Sequence, residues 1–178
     1  MDGDGKPSNV EAITCLPDTF FAYNRNDTAW KWMQYVYDRR DDEHPVAEQG
    51  TNGDYPEVSY TLVSQTVEGL MGVQPDAPDH ALATAARLPS GMSWLQVKDL
   101  RVGRNTFTLR HDGTTKSTLT NAAGPDTCTW EARFAGSHRS IKVNGLSHRA
   151  RTKQVNGTTY SYVTVPVAPG ASVTAEAA

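Results

Sequence analysis

The hydrophobic pattern changes period once along the chain, near Met92. Before that point apolar residues recur at three- and four-residue steps. Val58, Leu62, Val63, Thr66, Val67, Leu70 and Met71 share one helical face and predict a helix over 57–71. Asp54 and Glu57 have the spacing of a capping box, with Pro56 in the first turn between them. Gly72 is placed for a left-handed stop, and Pro75 prevents continuation. Upstream, 17–24 predicts a short helix, and Asn26 or Asp27 opens a second one running to about Arg40. Ala29, Trp32, Met33, Val36 and Tyr37 form its buried side, while Trp30 and Tyr35 fall off that stripe and require a second contact surface.

After Met92 the pattern alternates. Strands are predicted at 94–102, 106–111, 116–121, 128–134, 141–144 and 160–167, with a last short one at 172–176. Turn signals separate them: Val-Gly-Arg-Asn at 102–105, His-Asp-Gly at 111–113, and Asn-Gly at 144–145 and 156–157. Between the two patterns lies a stretch rich in Pro, Ala and Asp, which reads as a link. The expected class is therefore α+β: a helical segment at 1–75, a linker at 76–91 and an antiparallel β-sandwich at 92–178.

Composition narrows the function classes. A net charge of −3 and a pI near 5.9 lack the basic surface that nucleic acid requires. No apolar run approaches the ~20 residues needed to cross a bilayer, so no membrane partner is expected. Met1–Asn9 reads as a leader without the charged and apolar regions of a signal peptide. Cys15 and Cys128 form neither a disulfide framework nor a metal motif and read as two buried free thiols. The five histidines show no ligand spacing, so no metal is expected. No phosphate loop or dinucleotide fingerprint is present, and no cofactor is expected.

Three segments, taken together, resemble the C-terminal end of glycoside hydrolases built on a six-hairpin α/α toroid. They are the aromatic helix pair Phe20–Tyr23 and Trp32–Val36; Asn52-Gly53-Asp54-Tyr55-Pro56-Glu57-Val58-Ser59 leading to 67–77; and the Leu88-Pro89 entry to a sandwich carrying 100–103 and 141–145. The resemblance implies that the helical segment is the end of a toroid and that the general acid lies on an earlier part of the barrel. It also favours an extracytoplasmic parent enzyme, a carbohydrate substrate and an absent N-terminal barrel part as partner.

The same resemblance places the general base in the loop before a late helix, which here is the region of Glu48. Glu48 has no evident structural duty, and Gly50 and Gly53 allow close backbone approach to a ligand. Glu57 competes for the role, although the capping box gives it another. Asp54, Tyr55 and Trp30 are the candidate substrate-binding residues, the aromatic ones as stacking faces for sugar rings. The expected function is a C-terminal fragment of a glycoside hydrolase, inactive alone and able to self-associate through its exposed helical face. The alternative is a non-catalytic sandwich binding carbohydrate or protein. Against it, Trp94, Trp130, Tyr160 and Tyr162 sit within alternating strands, where core packing is the simpler use.

Overall fold

The computed structural model describes residues 10–178, and the leader read at Met1–Asn9 lies outside them. Helices α1 (Leu16–Ala22), α2 (Asn26–Asp38) and α3 (Pro56–Ser64) precede eleven strands. The strands are β1 (Gln74–Asp76), β2 (Ala81–Ala85), β3 (Trp94–Val102), β4 (Asn105–Asp112), β5 (Lys116–Ala123) and β6 (Cys128–Ala135). They continue with β7 (Ser140–Val143), β8 (Leu146–Arg149), β9 (Arg151–Val155), β10 (Thr158–Val167) and β11 (Ser172–Ala177).

The strands form two sheets, ordered β1-β2-β6-β10-β9 and β3-β4-β5-β11-β7-β8. All pairings are antiparallel except β2 with β6, which run parallel. The class is α+β, a short helical segment followed by a β-sandwich of two mostly antiparallel sheets. Alternation builds the core: Phe107 and Leu109 on β4, Leu119 on β5, and Trp130, Ala132 and Phe134 on β6 all point inward. Trp130 is fully buried, and its indole Nε1–H donates to Thr84 Oγ1 at 3.0 Å, pinning the parallel pair from inside.

The stretch 76–91 is more than a link. It completes β1 and contains β2, the strand that enters the five-stranded sheet beside β6. Prolines and alanines conceal it in the sequence. Pro75 is tolerated because β1 lies at the sheet edge. The Ala-rich strand β2 has Thr84 as its single β-branched residue, too little to mark a strand. Two further strands, β8 and β9, are exposed and polar and lack the inward apolar row on which the alternation signal depends.

Helical segment and sandwich meet where the third helix ends. After Ser64 the helix widens into a π-helical turn, Gln65–Leu70. Leu70 then packs with Phe21, Ala29 and Met33 of the helices, whereas Met71 packs with the sandwich core. Gly69 admits the Phe21 ring, since a Cβ there would fall 2.5 Å from its Cδ2. Gly72 takes φ +57°, the expected left-handed stop, and a Cβ would lie 2.8 Å from Ala85 N and against the Ala85 carbonyl.

His111 closes this junction. As the fourth inward position of β4 it is fully buried, with Nε2–H donating to the Met71 carbonyl at 3.0 Å. Its Nδ1 lies 2.7 Å from the Ser117 hydroxyl, which donates to it. Burial pushes its pKa down to about 4, outweighing the opposing effects of the Met71 carbonyl and Asp112.

Two predictions follow from the junction. Gly72→Ala should cost about 2 kcal/mol or more, because it adds backbone strain and a clash with Ala85. Equilibrium denaturation measures it. His111 binds a proton in the unfolded chain near pH 6.5 but in the folded protein only near 4. Its contribution is therefore complete above about pH 6.5 and lost as pH falls toward 4, on the order of 3 kcal/mol in all. His111→Leu should remove that part of the pH slope while lowering stability at neutral pH by roughly 1–3 kcal/mol through the unpaired Met71 carbonyl. Urea titrations of both proteins across this range give the comparison.

Candidate functional site

The candidate residues lie on α2, α3 and the loop Arg39–Tyr55 between them. Hydrogen bonds staple the loop's base. Gly53 N–H donates to the Arg40 carbonyl at 2.6 Å, Asn52 N–H to the Asp42 carbonyl at 2.9 Å, and Asn52 Nδ2 to the Arg39 carbonyl at 3.0 Å. Higher up, Glu43 and Thr51 form an antiparallel bridge, and His44 N–H donates to the Gly50 carbonyl at 2.9 Å. The limbs converge on a single 3-10 turn, Ala47–Gln49, where Gln49 N–H donates to the Val46 carbonyl. Glu48 sits on that turn, exposed, and its carboxylate makes no hydrogen bond or ion pair among the described residues.

The capping arrangement differs from the expectation. Asp54 pairs backward with Thr51: its Oδ2 accepts from Thr51 N–H at 3.0 Å and from Thr51 Oγ1–H at 2.9 Å. This box closes a separate 3-10 turn, Asn52–Asp54. Tyr55 then adopts an extended conformation (φ −80°, ψ 122°) and is itself the N-cap of α3. Pro56 supplies the reason, since the residue before a proline is driven out of the helical region. Asp54 therefore cannot cap α3, and Glu57 is not its partner. Glu57 is exposed in the first turn of α3, where a carboxylate suits the positive end of the helix. The two hydrogen bonds from Thr51, the backbone one first, hold the Asp54 carboxyl below its ordinary pKa. Gly50 suits the left-handed backbone here, at φ +76°, and a Cβ would lie 2.8 Å from Asp54 Oδ2 and displace that carboxylate.

The aromatic candidates separate. Tyr55 stacks on His44, with ring centroids 5.1 Å apart and planes at 16°, and packs against a small cluster of Val10, Val36 and Val58. Trp30 lines an open groove of about 670 Å³ between α2 and α3, with Met33, Tyr37, Val58, Leu62 and Val63. Arg40 and Gly53 mark the end of the groove nearest the loop. Trp30 stands eight residues before Asp38, the last residue of α2, about 12 Å of helix at 1.5 Å per residue, and Arg40 lies beyond that end. The fold thus gathers Glu48, Asp54 and Tyr55 in one loop and leaves Trp30 toward the far end of the groove.

Three further residues depart from the sequence reading, the first being Tyr37, expected on the buried side of α2 but exposed. Cys15 is exposed, and only Cys128 is buried, its thiol pushed up to about 11 by desolvation. Trp94 is also exposed, at 53 %, on edge strand β3, with the Arg110 guanidinium 4.5 Å from its ring centroid. His44 was not singled out by spacing, since its contacts are made to residues distant in sequence. Among the described residues no cluster of three or more His, Cys, Asp or Glu could hold a metal ion. Neither a protein-family model nor a curated protein matches this chain.

Asp54→Ala should free the Thr51 amide and hydroxyl and leave α3 intact, because Asp54 caps only the short turn. Amide hydrogen exchange at Thr51 should accelerate on the order of tenfold, with exchange along α3 nearly unchanged.

Proposed function

We propose that this chain is the closing part of a six-hairpin glycoside hydrolase, in which Glu48 is the general base and the sandwich buttresses the helices. The observation that carries this reading is the loop itself. Its base is stapled by backbone and side-chain hydrogen bonds, yet its turn presents a carboxylate without a structural partner among the described residues. Inversion at a sugar carbon needs such a carboxylate to activate water, and an acid ~6.5–9.5 Å away to protonate the leaving group. The acid is proposed to come from an earlier barrel helix of the parent enzyme. Asp54 is engaged with Thr51, and Glu57 stands exposed on the next helix as the competing base.

The open groove between α2 and α3 fits the same reading. Its lining is mainly apolar, and Tyr37 and Val63 beside it are exposed at 53 % and 64 %. Such a surface suits packing against further barrel helices, or self-association when they are absent. The alternative, a sandwich that binds carbohydrate through its own surface, draws on one observation: Trp94 is exposed on an edge strand.

Kinetics on the parent enzyme test the proposal. Glu48→Gln should lower turnover by roughly 10²–10⁴, the usual contribution of a positioned base, with an unchanged melting temperature. Glu57→Gln should leave most activity in place. The 178-residue chain by itself should hydrolyse no aryl glycoside at a useful rate. Normal turnover in Glu48→Gln with collapse in Glu57→Gln would move the base to Glu57. Normal turnover in both would remove this loop from catalysis.

A further inference from the structure

His44 has no part in the reading above, yet its ring is buried and bonded through both nitrogens. It is 6 % exposed although the loop around it faces solvent. Nε2 meets the Glu11 carboxylate, which comes from the 3-10 turn Glu11–Ile13, far away in sequence. Nδ1 lies 3.0 Å from Val46 N and 3.3 Å from the Val46 carbonyl oxygen. One face of the ring stacks on Tyr55, the residue that caps α3.

The shorter of the two Val46 contacts, taken with the Glu11 contact, fits one tautomer of the ring. An amide nitrogen can only donate, so the shorter Val46 contact requires a lone pair on Nδ1. A carboxylate can only accept, so Nε2 carries the proton. The neutral Nε2–H tautomer satisfies both. In that form the ring grips the Val46 N–H, and the Val46 carbonyl in turn receives Gln49 N–H at 2.9 Å to close the turn bearing Glu48.

We infer that His44 is a positioning residue for Glu48. Its Nδ1 holds the Val46 amide and thereby fixes the turn that presents the Glu48 carboxylate, while Glu11 and Tyr55 fix the imidazole. The inference deepens the proposal that Glu48 is the base, but it concerns the order of the turn and is measurable without turnover. Catalysis would need this order because a base must stand within hydrogen-bonding reach of the water it activates. A turn left free at Val46 would spread the carboxylate over many positions, and a misplacement of about 1 Å can cost 10²-fold in rate.

The two nitrogens can be separated by substitution in the 178-residue chain. His44→Asn places a carbonyl oxygen near the position of Nδ1 and loses the reach to Glu11. His44→Gln keeps the reach to Glu11 and loses the acceptor for Val46. Backbone amide relaxation and hydrogen exchange are recorded by NMR on the wild type and both variants, with Leu109 and Trp130 reporting the sandwich core. In His44→Gln the Glu48 amide order parameter should drop from the rigid value near 0.85 to below about 0.6. Val46 exchange should then accelerate about tenfold or more, and His44→Asn should stay near wild type on both measures.

Equal loosening in the two variants, including loss of the helical segment in both, would overturn the inference. So would a rigid Glu48 turn in both, or loosening in His44→Asn alone, which would make the Glu11 contact the operative one. Loss of the helical segment in His44→Gln alone would support it. Failure here leaves the base assignment to the Glu48→Gln kinetics, and failure there leaves the order of this turn as measured.

Discussion

A neutral imidazole buried between two layers sets the geometry of this molecule. His111 reaches from the last inward position of β4 to the Met71 carbonyl, and Ser117 fixes its other nitrogen. Helix ends leave carbonyls without intrahelical donors, and a buried one must find a partner elsewhere. Here the partner belongs to the sandwich. The Leu70 carbonyl, one residue earlier, is satisfied in the same way by Arg87 N–H at 3.0 Å, from the segment just after β2. The last turn of the third helix is therefore bonded to both sheets' approaches, and its direction is no longer free.

The π-helical turn makes this docking possible. Widening the helix at Gln65–Leu70 re-aims the side chains that follow, as such bulges do. Neighbouring residues then serve different cores: Leu70 the helical cluster and Met71 the sandwich. Gln65, buried inside the widened turn, uses its amide to hold the N-terminal segment, donating to the Thr14 carbonyl at 2.6 Å and to Asp18 Oδ2 at 3.0 Å. A regular α-helix through the same residues would preserve the apolar stripe but lose this division. Secondary contacts, such as Asn156 Nδ2 to the Ala22 carbonyl and Ser90 to Asp27, tie α1 and α2 to the loops of the sandwich.

Periodicity in the sequence carried the three helices and seven of the strands, because each of these buries an apolar face that recurs in step. It did not carry β1 and β2, where Pro and Ala replace the usual strand formers, or β8 and β9, where no face is apolar. The candidate site was legible in composition and less so in bonding. Asp54 and Glu57 stand three apart, but Pro56 breaks the helical path between them, and the box forms one turn earlier with Thr51. His44 was silent for a different reason. Its partners Glu11 and Tyr55 are brought to it by tertiary structure, and no local spacing encodes such a contact.

The loop's length and construction bear on what it is for. Helix–helix connections usually need about two to eight residues, and Arg39–Tyr55 is considerably longer. Long loops ordinarily remain mobile, since fixing each residue's backbone costs about 1–2 kcal/mol of conformational entropy. This one is nevertheless held at both limbs, by a glycine at positive φ, by the Thr51–Asp54 turn and by a buried histidine. That order also anchors the connection to the helices, through Tyr55 packed against Val10, Val36 and Val58. Under the proposed function, ordering a turn around an exposed carboxylate serves the base, because the acceptor must occupy one position while remaining open to water and substrate. Asp42 and Glu43 are also exposed, but they lie on the limb that forms the staple and bridge, whereas Glu48 alone stands on the turn those bonds support. The bonding of the loop thus distinguishes among its carboxylates where composition could not.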